Sequence, residues 1–75
     1  MNPPKYAVVV ERGESGGYGA YVPDLPGCIA TSSTKEGVEK LIAEAIGLHL
    51  ESLREHGDPI PEPMSLVEYI EPAVA

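Results

Sequence analysis

Apolar residues fall in short runs along the first third of the chain and then recur at helical spacing through the middle. Residues 5–12, Lys-Tyr-Ala-Val-Val-Val-Glu-Arg, are rich in β-branched side chains and predict a strand. Ala7 and Val9 share one face and Val8 and Val10 the other. A strand apolar on both sides is expected at the centre of a sheet. Residues 13–17, Gly-Glu-Ser-Gly-Gly, predict a hairpin loop, since glycine supplies the positive φ of tight turns. In the second strand, 18–22, Tyr18, Ala20 and Val22 line one face, with Gly19 and Tyr21 on the other. Residues 23–27, Pro-Asp-Leu-Pro-Gly, read as a stiff turn, because each proline fixes its own φ and restricts the residue before it. A short third strand covers 28–32.

The period then lengthens. Ser33 or Thr34 can cap a helix, and Glu36 lies three residues after Ser33, the spacing of a capping box. At about 100° per residue, Val38, Leu41, Ile42, Ala45, Ile46 and Leu53 gather on one side of a helix. Lys40, Glu44, Glu51, Arg54 and Glu55 gather on the other. Gly57 ends the helix and Pro59 prevents its resumption. About 22 residues at about 1.5 Å each span roughly 33 Å, enough to cross a sheet. Prolines at 59, 61 and 63 predict an extended linker, and 66–70, Leu-Val-Glu-Tyr-Ile, a last strand. The predicted fold is therefore α+β, in the order βββαβ. A right-handed crossover returns the fourth strand beside the first. That makes a four-stranded mixed sheet, order 3-2-1-4, with one long helix on one face. The other face is left to solvent or to a second copy.

Size sharpens that last point. A chain of 75 residues buries only about 60% of its unfolded surface. One cysteine allows no internal disulfide, and no Cys/His cluster offers a structural metal. A homodimer or larger homo-oligomer is a natural way to gain burial. The aliphatic run 7–10 is far short of the roughly 20 residues of a membrane span, so no membrane association is expected. The first residues hold no apolar export segment, and with a lone cysteine they point to the cytoplasm.

Five basic against twelve acidic residues give a net charge of −7. A nucleic-acid surface needs clustered Lys and Arg, so direct DNA binding by this chain is not expected. The charge is uneven. Residues 1–50 hold four basic and six acidic groups, net −2; residues 51–75 hold one and six, net −5. Such a tail is solvated, and it also attracts a basic partner.

Little else in the chain suggests chemistry. Glu11, Glu14, Asp24 and Glu68 are the acids near strands, and nothing in their spacing converges them on a metal. Cys28 follows a turn glycine and reads as a buried, inert thiol. His49 falls near the centre of the apolar helix face, where a core histidine bonded to a backbone or Tyr acceptor is expected rather than a switch. Gly47 lies on the polar side.

The run Gly17-Tyr18-Gly19-Ala20-Tyr21-Val22-Pro23-Asp24-Leu25-Pro26-Gly27-Cys28 resembles the signature of the HicB family of antitoxins. Ser33-Thr34-Lys35-Glu36, Ala45-Ile46-Gly47-Leu48-His49-Leu50 and Gly57-Asp58-Pro59-Ile60-Pro61-Glu62-Pro63 extend the resemblance over roughly residues 5–71. It implies a reduced ribonuclease H-like core that has lost its catalytic carboxylates. It also implies a partner: a HicA-type toxin, a small basic ribonuclease whose active histidine the antitoxin blocks. Many members carry a C-terminal DNA-binding module, and the proline-rich residues after Gly57 fit none. Residues 1–75 are thus expected to form a single antitoxin domain that is not an enzyme and takes no cofactor. Rival readings are an orphan protein-binding module and a residual metal-dependent nuclease.

The candidate partner-binding residues are Tyr18 and Tyr21 on the second strand, Asp24 and Leu25 in the turn, and the acids Glu51, Glu55, Glu62 and Glu68. Tyrosine anchors interfaces well because it buries a large area with few rotors.

Overall fold

The computed structural model describes residues 4–74. Three strands, β1 (Val9–Arg12), β2 (Tyr18–Tyr21) and β3 (Ile29–Ser32), precede one helix, α1 (Lys35–Glu55). The strands form an antiparallel meander in the order β1-β2-β3. Its registers pair Val10 with Ala20 and Ala20 with Ala30 on one face, and Val9 with Tyr21 and Tyr21 with Ile29 on the other.

The helix packs on the first of these faces. Ala20, Val22, Leu25, Cys28, Val38, Ile42 and Leu50 form the buried core, with Tyr6, Val8, Tyr18, Ala30, Ala45, Ile46, Leu53 and Ile60 packed around it. Every member is aliphatic, sulfur-bearing or tyrosine, as a chain without Trp or Phe requires. Leu25 and Val38 are completely enclosed. Full burial of one such side chain is worth about 1.5–3 kcal/mol.

Each junction has a local cause. The turn after β2 is two successive β-turns: Leu25 N–H donates to Val22 O at 3.1 Å, and Cys28 N–H to Leu25 O at 3.0 Å. In the second turn Pro26 and Gly27 occupy the central positions, and Gly27 has φ +84°, the proline–glycine pattern of a type II turn. At the helix start Thr34 Oγ1 accepts from Gly37 N–H at 3.0 Å. At its end Gly57, φ +70°, lets its own N–H reach Arg54 O and the Asp58 N–H reach Leu53 O, the paired bonds of a Schellman cap.

The predicted elements are present except for the last, and four details differ. Of the two cap candidates Thr34 is the cap, and the Ser33–Glu36 capping box does not form, because the third helical residue is then Gly37, which has no side chain to close one. Leu41, expected on the buried side, is 42% exposed, because the helix is rolled toward Leu50. The first strand lies at an edge of the sheet, not at its centre. The reason is the fourth difference: residues 66–70 form no strand. From Asp58 to Val74 the described chain is extended and unpaired, and Leu66, Tyr69 and Ile70 are almost wholly exposed.

Candidate partner-binding surface

Alternation along the strands sorts the candidate residues. Ala20 and Val22 turn inward, so Tyr21 between them turns outward; Cys28 and Ala30 do the same to Ile29. Register places Val9 beside Tyr21 and Tyr21 beside Ile29. The face away from the helix therefore carries an apolar row, Val9–Tyr21–Ile29, with Tyr21 41% and Ile29 68% exposed. A polar row, Glu11–Gly19–Thr31, lies next to it. No element of the described chain covers this face.

Tyr18 lies on the opposite side of β2 and packs against the core. It also lines a shallow open groove of about 640 Å³ with Glu11, Arg12, Gly13 and Ser32, beside the hairpin loop. The two tyrosines thus do not share a surface. Leu25 is enclosed as a member of the core and presents nothing to a partner.

Asp24 is engaged by its own chain. Its carboxylate accepts from Met64 N–H and Ser65 N–H, both at 2.9 Å, and from Ser65 Oγ–H at 2.8 Å. The backbone bond from Ser65, then its hydroxyl, then the Met64 N–H hold this carboxyl below the usual aspartate value of 3.8. Nearby, Tyr6 Oη–H donates to Pro61 O. The turn thus stiffens the sheet and fastens the tail.

The acids do not form one cluster by proximity in sequence or element. Glu51 and Glu55 are exposed one turn apart on α1, whereas Glu62 and Glu68 are exposed in the tail. Among the described residues no group of three or more His, Cys, Asp and Glu side chains is placed to hold a metal ion. Cys28 is buried, and desolvation pushes its thiol above the ordinary value. His49 is half-buried on α1. The ring that meets a backbone acceptor is that of His56, whose Nδ1–H donates to Ser52 O at 2.7 Å. Among the described residues no helix is long and apolar enough to cross a membrane.

Sequence reasoning missed Val9 and Ile29 as surface residues. The signal was available for Ile29, because it alternates with Cys28 and Ala30 as Tyr21 does with Ala20 and Val22. The Asp24–Ser65 clamp joins positions 41 residues apart and has no local signal.

The family model of the HicB-like antitoxin of bacterial toxin–antitoxin systems matches residues 6–73. The chain belongs to the HicB-like antitoxin family. A crystal structure of the N-terminal domain of the Burkholderia pseudomallei antitoxin HicB superposes with a TM-score of 0.71 at 32% identity, over 79% of this chain and 69% of that one. A UPF0150 protein of Thermoplasma acidophilum is 42% identical over 57 residues, 76% of this chain and 83% of that protein. Another, from Synechocystis, is 40% identical over 57 residues, 76% of this chain and 72% of that protein. The HicB-like match extends past the helix into the unpaired tail, so the tail belongs to the family's domain rather than being an unrelated appendage.

Proposed function

We propose that this HicB-like chain neutralises a small, basic HicA-type ribonuclease by binding it and covering its RNA-binding face and catalytic histidine. The binding is stoichiometric and involves no chemistry. The observation that carries the reading is the uncovered Val9–Tyr21–Ile29 row in a member of an antitoxin family. An exposed apolar row rimmed by polar residues is the usual anatomy of a protein-binding patch. Tyr21 supplies an anchor, and the net charge of −5 in residues 51–75 draws in a cationic partner.

The three strands and helix are read as a reduced ribonuclease H-like core without its metal-binding carboxylates, acting in the cytoplasm as a homo-oligomer. With a net charge of −7, the chain by itself is not expected to bind operator DNA.

The test is growth rescue. Co-expressed with a small basic HicA-type toxin, the chain restores growth, and Ile29→Asp, which places a charge in the apolar row without touching the core, abolishes rescue while the helical circular dichroism stays unchanged. Failure of the unmodified chain to rescue growth refutes the antitoxin reading and leaves a module for an unrelated partner.

A further inference from the structure

Two unsatisfied elements of complementary kind lie in this chain. The first is 66–70, Leu-Val-Glu-Tyr-Ile. Val67, Tyr69 and Ile70 are strong strand formers, yet the segment has no partner strand, and Leu66, Tyr69 and Ile70 are 87%, 97% and 83% exposed. The second is the outer edge of β1. β2 pairs one side of Val9–Arg12, and among the described residues no strand pairs the other. The helix packs on β3 and β2 and leaves β1 at its margin, where Val10 on the helix side is 37% exposed. Natural sheets blunt such edges or cover them. Here the edge strand is half apolar, Val9 and Val10, and half charged, Glu11 and Arg12.

Up to Ser65 the chain's own tail is held at the end of the sheet. It is held first at Tyr6 through Pro61, before β1, and then at Asp24 through Met64 and Ser65, in the turn between β2 and β3. Continuing the β1–β2 register sets Tyr6 level with Asp24, so the tail crosses the end of the sheet from the β1 side toward β3. Turning back would need a reversal in 66–71, which holds no Gly, Pro, Asn, Asp or Ser. A Cα radius of gyration of 14.5 Å, against about 11 Å for a compact chain of this length, records the projection of tail and helix.

We propose that 66–70 of one copy adds to the β1 edge of a second copy as its fourth strand, and the second copy's tail adds to the first. The outer edges of β1 and β3 are both unpaired among the described residues; each chain has one donor strand, and its exchange with the β1 edge of a second copy is two-fold and closes. Charge selects the occupant. Lys5 and Arg12, two of the five cations, bound the first strand segment, and the tail brings Glu68 and Glu71. A basic toxin strand would meet Lys5 and Arg12 with like charge. The exchange rests on the self-association read above and specifies it; toxin binding does not enter.

The test uses the full chain. Sedimentation gives twice the 7.9 kDa chain mass, and one of two successive prolines, Val67→Pro or Glu68→Pro, halves it with unchanged helical circular dichroism, because neighbouring strand residues point their N–H groups to opposite sides and one of the two must face the ladder. In a sample mixing isotope-labelled and unlabelled copies, filtered NOEs link Val8, Val9 and Val10 of one copy to Leu66–Ile70 of another. A monomeric unmodified chain overturns self-association and the exchange together. A dimer that survives both prolines leaves self-association standing and overturns the exchange. So do NOEs confined to one copy, or an edge filled only when the basic toxin is added.

Discussion

The body of the molecule and its tail are held by different physics. From Tyr6 to Ile60 the chain is fixed by an apolar core whose members come from β2, β3, α1 and the segments beside them, with Tyr6 and Val8 contributing from just before β1. From Pro61 to Val74 the chain is fixed by the Tyr6 hydroxyl and the three bonds to Asp24, and past Ser65 its apolar side chains face solvent. The first arrangement is cooperative, since losing one contact loosens all. The second is local, since releasing Asp24 frees a segment and leaves the core alone. A body of this kind can present a fixed surface, and a tail of this kind can exchange partners. The HicB-like match covers both.

The largest expected effect separates them by stability. Leu25→Ala removes an enclosed core side chain and should cost about 2–5 kcal/mol. A domain of 75 residues has roughly 4–11 kcal/mol in all, so the variant loses a large share of its stability and, at the low end of that range, unfolds. Leu66→Ala, at an 87% exposed tail position, should leave the urea midpoint of the monomer unchanged. Equal losses from the two substitutions would erase the distinction between body and tail.

The next effect separates holding from steering. On the proposed function, Tyr21→Ala removes an interface anchor and should speed toxin dissociation by roughly 30-fold, the equivalent of about 2 kcal/mol. Changing Glu51, Glu55, Glu62 and Glu68 together to Gln should instead slow association several-fold at low salt and little at high salt, with dissociation almost unaltered. Surface plasmon resonance at two ionic strengths reads both. If Tyr21→Ala acts on association and the Gln set on dissociation, the roles assigned to the apolar row and to the acids are reversed.

The same division explains what could be read from the residues alone. The hairpin, the proline turn, the helix and its glycine stop are local signals, and all four stand where periodicity and turn chemistry place them. The face assignment of Tyr18 and Tyr21 follows from a period of two and holds. The fourth strand has an equally clear local signal in 66–70, but a strand needs a partner, and partnering depends on where the tail is tied. The tie is Asp24 to Ser65, a contact between distant positions that no window of sequence contains. Central placement of β1 fails for the same reason, since it presumed that strand. Leu25 was legible as a rigidly presented residue but not as one turned inward, because two prolines fix the path of a turn without fixing its side.

The smallest effect is the most local, and it tests the tie directly. Asp24 accepts three hydrogen bonds in its ionised form, the backbone bond from Ser65 leading, so its carboxyl titrates below 3.8 when the tail is docked. A folded value below the free one means that the clamp contributes fully above about pH 3.8 and is lost as pH falls through the folded value. The tail should therefore stay docked at neutral and mildly acidic pH and come free only in strong acid. Amide signals of Met64 and Ser65 should shift and exchange faster there, while those of Ala20, Val38 and Ile42 hold their positions. Asp24→Ala should give the same free-tail spectrum at every pH. Met64 and Ser65 signals that ignore the titration, or core signals that move with them, would show that the tail is part of the cooperative body after all.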